Sequence, residues 1–123
     1  MTLEADARAA RHGARRHIVG RLGHLDRLLA PAALDVIVCN GVLGWGLDEP
    51  AAVNAAFAAC HATLRPGGLL LVGWNDTRRR QGGALMQVPA LGRFAPLTCP
   101  PLDAAMVQTG SVNRHAFSLF MRP

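Results

Sequence analysis

The stretch Leu34–Asp76, LDVIVCNGVLGWGLDEPAAVNAAFAACHATLRPGGLLLVGWND, constrains the fold more than any other part of the chain. Asp35–Cys39 is a short apolar run rich in β-branched residues, which reads as a strand. A loop punctuated by glycine follows, Asn40–Gly46. Asp48 is placed to cap a helix, with Glu49 and Pro50 in its first turn, where a carboxylate and a proline are favoured. Val53, Phe57, Cys60 and Leu64 recur at spacings of four, three and four, the period of one helix face. Pro66-Gly67-Gly68 is expected to end that helix and turn the chain into a second apolar strand, Leu69–Trp74. Strand, helix and strand, with both strands apolar throughout, make the βαβ unit of a parallel sheet covered on both faces. Ligands of such sheets sit at the carboxyl ends of the strands. Asn40–Trp45 and Trp74–Thr77 both fall there.

With 123 residues, half of them hydrophobic, the chain is expected to be one domain, residues 1–123, with a sizeable core. No apolar run approaches the ~20 residues of a membrane span, and Met1–Ala10 has no signal-peptide core. The expected compartment is the cytoplasm, with no membrane partner. Cys39, Cys60 and Cys99 form no close pair, which argues against a disulfide framework or a zinc knuckle. Cys39 in the strand and Cys60 on the apolar helix face are expected to be buried as small hydrophobes. The formal charge is +5, and all 13 basic residues are arginine. They cluster in Arg8–Arg27 and Arg78–Arg80, as a nucleic-acid footprint would. The aromatic interleaving of such a surface is missing, and there is no tyrosine, so solvated faces are favoured and nucleic acid is disfavoured as a partner.

Outside the central stretch the signals are shorter. Thr2–Asp6 reads as the end of a strand. Ala7–Arg16 is a polar connection with a helical turn closing near Gly13. His17–Val19 is a strand stopped by Gly20. Leu22–Leu29 has helical spacing limited by Pro31. Asn75–Gly83 reads as a loop, Val88–Leu91 as a helical turn and Gly92–Ala95 as a short element. Three prolines make Pro96–Pro101 irregular. Arg114–Arg122 alternates, which predicts a strand at or beside a sheet edge, in antiparallel orientation because only a loop-rich stretch precedes it.

Several residues could carry chemistry. A carboxylate such as Glu4 or Asp6 at a strand end can accept hydrogen bonds from ribose hydroxyls; taken alone, a solvated acidic terminus is the favoured account of them. The loop after Asp35–Cys39 is more specific. Gly41, Gly44 and Gly46 permit close backbone approach, Asn40 offers donor and acceptor, and Trp45 supplies a flat apolar wall. His12, His17, His24, His61 and His115 show no metal-ligand spacing, and no metal site is expected. His115 in the last strand approaches the same end of the sheet, where packing at the edge competes with general-base chemistry. Ser/His/Asp, HExxH, Walker and Gly-x-Gly-x-x-Gly patterns do not occur, and no catalytic residue is assigned.

DVIVCNGVLGW, then a helix, then LRPGGLLLVGW resembles the class I S-adenosylmethionine-dependent methyltransferases. The resemblance implies a Rossmann-like α/β fold, a mostly parallel sheet with flanking helices and an antiparallel C-terminal strand. In that family the strand ending at Asn40 is the fourth, the LRPGG turn introduces the fifth, Thr2–Asp6 ends the second, His17–Leu22 is the third with its loop, and Arg114–Arg122 the seventh. It implies S-adenosyl-L-methionine as cofactor. Glu4 would bind the ribose, Arg21 and Leu22 would lie at the adenine edge, and Asn40, Gly41, Val42 and Leu43 would line the methionine moiety. Trp45, Trp74, Asn75 and His115 would shape the acceptor pocket. The implied reaction is methyl transfer to a small-molecule acceptor, since the loop is not the Asp/Asn-Pro-Pro-aromatic type associated with base methylation. The protein then mainly aligns nucleophile, methyl and sulfur.

Two departures qualify that implication. The family's first strand, with its glycine-rich cofactor loop, is not in the sequence, so the chain reads as N-terminally truncated and its cofactor binding as impaired. Arg21 stands where many members carry an aspartate; a guanidinium has donors only. The missing strand is central, between the second and fourth. Its neighbours must pair directly, recruit another chain, or leave an open edge. The alternative function is therefore a non-catalytic remnant that binds a partner or forms a homodimer.

Overall fold

The computed structural model describes residues 1–98, 100 and 104–123. Four strands come from the first three-fifths of the chain: β1 (Thr2–Glu4), β2 (His17–Val19), β3 (Leu34–Asn40) and β4 (Leu64–Asn75). Three follow: β5 (Ala95–Pro96), β6 (Met106–Gln108) and β7 (His115–Met121). The α-helices are α1 (Leu25–Leu28), α2 (Pro50–Thr63) and α3 (Gly82–Leu85). Short 3-10 helices cover Ala7–His12, Leu22–His24 and Pro89–Arg93.

The strands form two sheets. β1 and β2 pair in parallel as a separate two-stranded sheet. The second sheet runs β3-β4-β7-β5, with β6 also on β7. β3 and β4 are parallel; β7 is antiparallel to β4, and to β5 and β6 on its other side. The alternating C-terminal segment is thus the antiparallel strand its pattern predicts, lying just inside the edge. β6 carried no readable sequence signal, and Ala95–Pro96 joins β7 although Pro96 was expected to lie in an irregular run. The rest of that run, with Cys99, lies in part outside the described residues.

The core forms under α2. Val53, Phe57, Cys60 and Leu64 are all fully buried, as their spacing requires. They pack on the β3–β4 face made by Ile37, Cys39, Leu70 and Val72. Burying an aromatic such as Phe57 in this cluster stabilises the fold by about 1.5–3 kcal/mol. The opposite face differs from expectation. Val36 and Val38 are 52% and 63% exposed, and their register partners Leu69 and Leu71 are half-buried. The sheet is covered on one face, because no element among the described residues packs on the other.

Two local expectations are corrected. Asp48 does not cap α2; Glu49 occupies the cap position without a side-chain bond, and Asp48 accepts from the Gly46 N–H instead. The LRPGG run is not a turn after the helix. The helix stops at Thr63 and β4 begins at Leu64, with a register shift opposite Leu34/Val36. The run is held by the end of β7: Gly67 N–H donates to Arg122 O (2.8 Å) and Arg122 N–H to Gly68 O (2.9 Å). Arg122 also donates to the Leu64 carbonyl, and Arg65 pairs with Asp35 at 2.6 Å.

Candidate functional site

The carboxyl end of β1 carries Glu4, and that of β3 carries Asn40. Both line one groove of about 840 Å³ between the two sheets. Arg21 and Leu22, just beyond β2, line it as well, with Val42 and Trp45 from the loop after β3. The side chain of α2 nearest the groove is short at Ala52 and Ala55, which leaves the space open. Glu4 is exposed and its Oε1 accepts the Asp6 N–H at 3.1 Å, leaving the other carboxylate oxygen for a ligand. Asp6 itself is drawn off by Arg8, which forms a close ion pair with it and holds its carboxyl below the ordinary range.

The loop Asn40–Gly46 is shaped by its glycines. Gly41, Gly44 and Gly46 all take positive φ, at 68°, 74° and 107°, a region open to glycine and strained for other residues. The Gly41 N–H donates to Gly73 O at 3.1 Å, which extends the β3–β4 ladder one residue past the strand. Leu43 is fully buried; it anchors the loop in the core and does not line the groove.

Asn40, Asn75 and His115 meet at the ends of β3, β4 and β7. His115 Nδ1 lies 2.5 Å from Asn75 Oδ1, and Nε2 lies 3.0 Å from Asn40 Oδ1. A doubly protonated ring donates to both oxygens; a neutral ring requires one amide turned to present its NH2. The three residues come together because Gly73, in register with both Asn40 and Phe117, has no Cβ. A methyl there would collide with the Asn40 amide and approach His115 Nε2 to 3.0 Å.

Trp45 is 57% exposed and is clamped from outside. The Arg80 guanidinium carbon lies 3.2 Å from the ring centroid, and Arg80 Nη1 donates to Gly44 O at 2.6 Å. The sequence places Arg80 in a solvated basic run; only its position five residues beyond the end of β4 hints at contact with the loop after β3. Trp74 is placed differently from the acceptor wall anticipated for it. Its indole is buried, packed towards Gly82 and Gly83, and its Nε1–H has no hydrogen-bond partner among the described residues. Among those residues no group of three His, Cys, Asp or Glu side chains could hold a metal, and no helix is long and apolar enough to cross a membrane.

The candidate residues therefore divide. Glu4, Arg21, Leu22, Asn40, Val42 and Trp45 share the groove; Asn75 and His115 abut it through Asn40; Leu43 and Trp74 belong to the core. This arrangement places an open groove, with an acid at one wall, beside a polar amide–imidazole cluster at the sheet's carboxyl end.

No family model and no curated protein matches the sequence. Solved structures do match. N-methyltransferase NodS from Bradyrhizobium japonicum aligns over 98% of this chain and 71% of its own, with 19% identity and a TM-score of 0.69. A TehB-like SAM-dependent methyltransferase from Corynebacterium glutamicum aligns over 98% of this chain and 66% of its own, with 17% identity and a TM-score of 0.69. The Burkholderia thailandensis 1,6-didemethyltoxoflavin-N1-methyltransferase, solved with 1,6-didemethyltoxoflavin and S-adenosylhomocysteine, aligns over 98% and 59%, with 16% identity and a TM-score of 0.65. The chain spans roughly two-thirds of the length of these proteins, and what it shares with them is the architecture, a Rossmann-like α/β fold.

Proposed function

We propose that this chain takes part in methyl transfer from S-adenosyl-L-methionine to a small-molecule acceptor. One observation carries the reading: Glu4, Arg21, Leu22, Asn40 and Val42, which are far apart in sequence, line a single groove at strand carboxyl ends. Solved structures of the same fold contain S-adenosylhomocysteine or S-adenosyl-L-methionine, and one contains a small heterocyclic acceptor.

The groove fits parts of that cofactor better than others. Glu4 offers a free carboxylate oxygen for ribose hydroxyls, and Leu22 and Val42 offer apolar contact. Arg21 cannot accept from an adenine amino group, although it can donate to ring nitrogens. The cofactor, when bound, supplies a methyl group already activated on a sulfonium. Asn40 would orient its methionine end, while Trp45 with Arg80 walls the acceptor side. His115, held between Asn40 and Asn75, could take the proton an acceptor hydroxyl or amine releases.

Calorimetry with S-adenosyl-L-methionine on residues 1–123 tests the reading. Binding is expected to be weak, because among the described residues no strand joins β1 to β3 across the groove, and Glu4→Gln is expected to weaken it further. A low-micromolar affinity untouched by Glu4→Gln and Asn40→Ala would place the cofactor elsewhere. A second reading, a non-catalytic partner-binding or dimerising module, is favoured by the open edges of β1 and β3. Full-strength partner binding with no cofactor binding under any condition would select it.

A further inference from the structure

His115 is the first residue of β7, and its ring is held from several directions. It lies in register with Asn75 on the neighbouring β4. Just before it, Arg114 takes a positive φ of 46°, a strained choice for a residue with a side chain. That turn is stitched to the exit of β4. The Asp76 N–H donates to Arg114 O at 3.1 Å, and the Arg114 guanidinium pairs with Asp76 at 3.3 Å. Phe117, two residues on and on the same face of β7, meets the imidazole edge-on with centroids 4.7 Å apart. The backbone and Phe117 thus fix the ring, and with it the neighbours of its two nitrogens.

Those neighbours are unequal. Nδ1 lies 2.5 Å from Asn75 Oδ1, and Nε2 lies 3.0 Å from Asn40 Oδ1. The shorter contact suits an N–H donating to oxygen; an amide NH2 donating to a ring nitrogen would stand farther off. Asn75 is half-buried, whereas Asn40 is exposed and lines the groove, where its amide can turn. A neutral ring is then satisfied in one way: Nδ1–H donates to Asn75, and the Asn40 NH2 donates to the Nε2 lone pair. We propose that Asn75 is a positioning residue that fixes His115 as the Nδ1–H tautomer, so that Nε2, capped by Asn40, is the nitrogen that takes the acceptor's proton. In that step the X–H bond of a hydroxyl or amine acceptor breaks and its electron pair stays on X. X takes the methyl group, the pair of the broken methyl–sulfur bond stays on sulfur, and the proton bonds to the Nε2 lone pair. The resulting imidazolium donates from both nitrogens to the two amide oxygens that face it. Asn40 needs only to turn its amide between the two states. The acceptor in this step rests on the methyltransferase reading; the tautomer rests on the geometry alone.

The test reads the tautomer directly. The intact chain is prepared with isotope-labelled histidine, and long-range proton–nitrogen correlation spectra are recorded in alkaline buffer. An unprotonated ring nitrogen resonates far downfield of a protonated one, so the two tautomers are distinct. His115 is expected as Nδ1–H, against the Nε2–H form that histidine favours in water. Asn75→Ala is expected to return it to Nε2–H. Asn75→Asp, whose carboxylate can only accept, is expected to keep Nδ1–H; loss of packing alone would not separate these variants. Asn40→Ala uncaps Nε2. Carbethoxylation of His115 by diethyl pyrocarbonate, followed by peptide mass mapping, is then expected to quicken about two- to tenfold, the worth of one hydrogen bond. The proposal is overturned if wild-type His115 is Nε2–H, if Asn75→Ala leaves Nδ1–H in place, if Asn75→Asp loses it, or if Asn40→Ala leaves the carbethoxylation rate unchanged. An Nδ1–H tautomer in a chain that binds no S-adenosyl-L-methionine by calorimetry would refute the methyltransferase reading alone.

Discussion

His115 Nε2 lies 3.0 Å from Asn40 Oδ1 although the two residues are 75 positions apart. The contact ties β7 to the end of β3 across β4, and Gly73 makes room for it. A hydrogen bond of this kind contributes about 0.5–1.5 kcal/mol net. A double-mutant cycle with His115→Ala and Asn40→Ala is expected to return a coupling energy in that range by urea denaturation. Gly73→Ala is expected to cost more, about 1–3 kcal/mol, because the new methyl overpacks a buried position and separates the pair. A coupling near zero would show that the two side chains do not meet in solution.

Arg80 over Trp45 gives a second linkage, between the loop after β3 and the exit of β4. Stacking of a guanidinium on an exposed indole is worth about 0.5–1 kcal/mol, and the bond to Gly44 O adds to it. Arg80→Ala should lower stability by up to about 2 kcal/mol and make Trp45 more accessible to acrylamide. Trp74, being buried, contributes little to quenching, so the change reports on Trp45. Unchanged quenching would mean that the loop stands without its clamp.

These two contacts mark where the sequence stops being legible. The α2 face, β3, β4 and β7 were readable because burial imposes a period, and Val53, Phe57, Cys60 and Leu64 repeat it. The clustering of Glu4, Arg21 and Asn40 was readable only through the family pattern, since nothing local links them. Arg80 was not readable, because stacking depends on where two loops meet. Leu43 and Trp74 were misjudged for the same reason: each sits at a ligand-facing strand end in sequence, yet its side chain turns into the core. The single-faced cover of the sheet was hidden too, since a strand such as Asp35–Cys39 looks equally apolar whether or not anything packs on Val36 and Val38.

Cys39 of β3 is buried in the core with Cys60 and Phe57 of α2, and burial pushes its thiol up to about 12 from an ordinary 9.0. Cys60 beside it is raised as well, by burial and by Cys39. Both are therefore inert thiols. In a Cys99→Ser background, Ellman's reagent at pH 8 should label neither until the chain unfolds. A raised folded pKa means that the unfolded chain releases its proton first. The stabilisation is complete below about pH 9 and is lost as pH climbs towards 12. Cys39→Ala should flatten that alkaline slope while lowering stability at neutral pH. Rapid labelling of the native protein would contradict the burial of both groups.

His61 works in the opposite direction. It lies half-buried at the end of α2, with its ring edge-on to Phe94 at 5.1 Å between centroids. Burial lowers its pKa from the ordinary 6.5, and Arg93 and Arg122 add to the shift by repulsion. The folded chain thus holds His61 neutral where the unfolded chain has already bound a proton. Its contribution is present above about pH 6.5 and is lost as pH falls through the lower folded value. Denaturation midpoints should decline between pH 7 and pH 5. His61→Gln should remove that part of the decline, because it keeps a polar side chain of similar reach but binds no proton. Arg93→Gln should reduce the slope without abolishing it, since burial is the larger cause. An unchanged slope in His61→Gln would assign the acid sensitivity to another group.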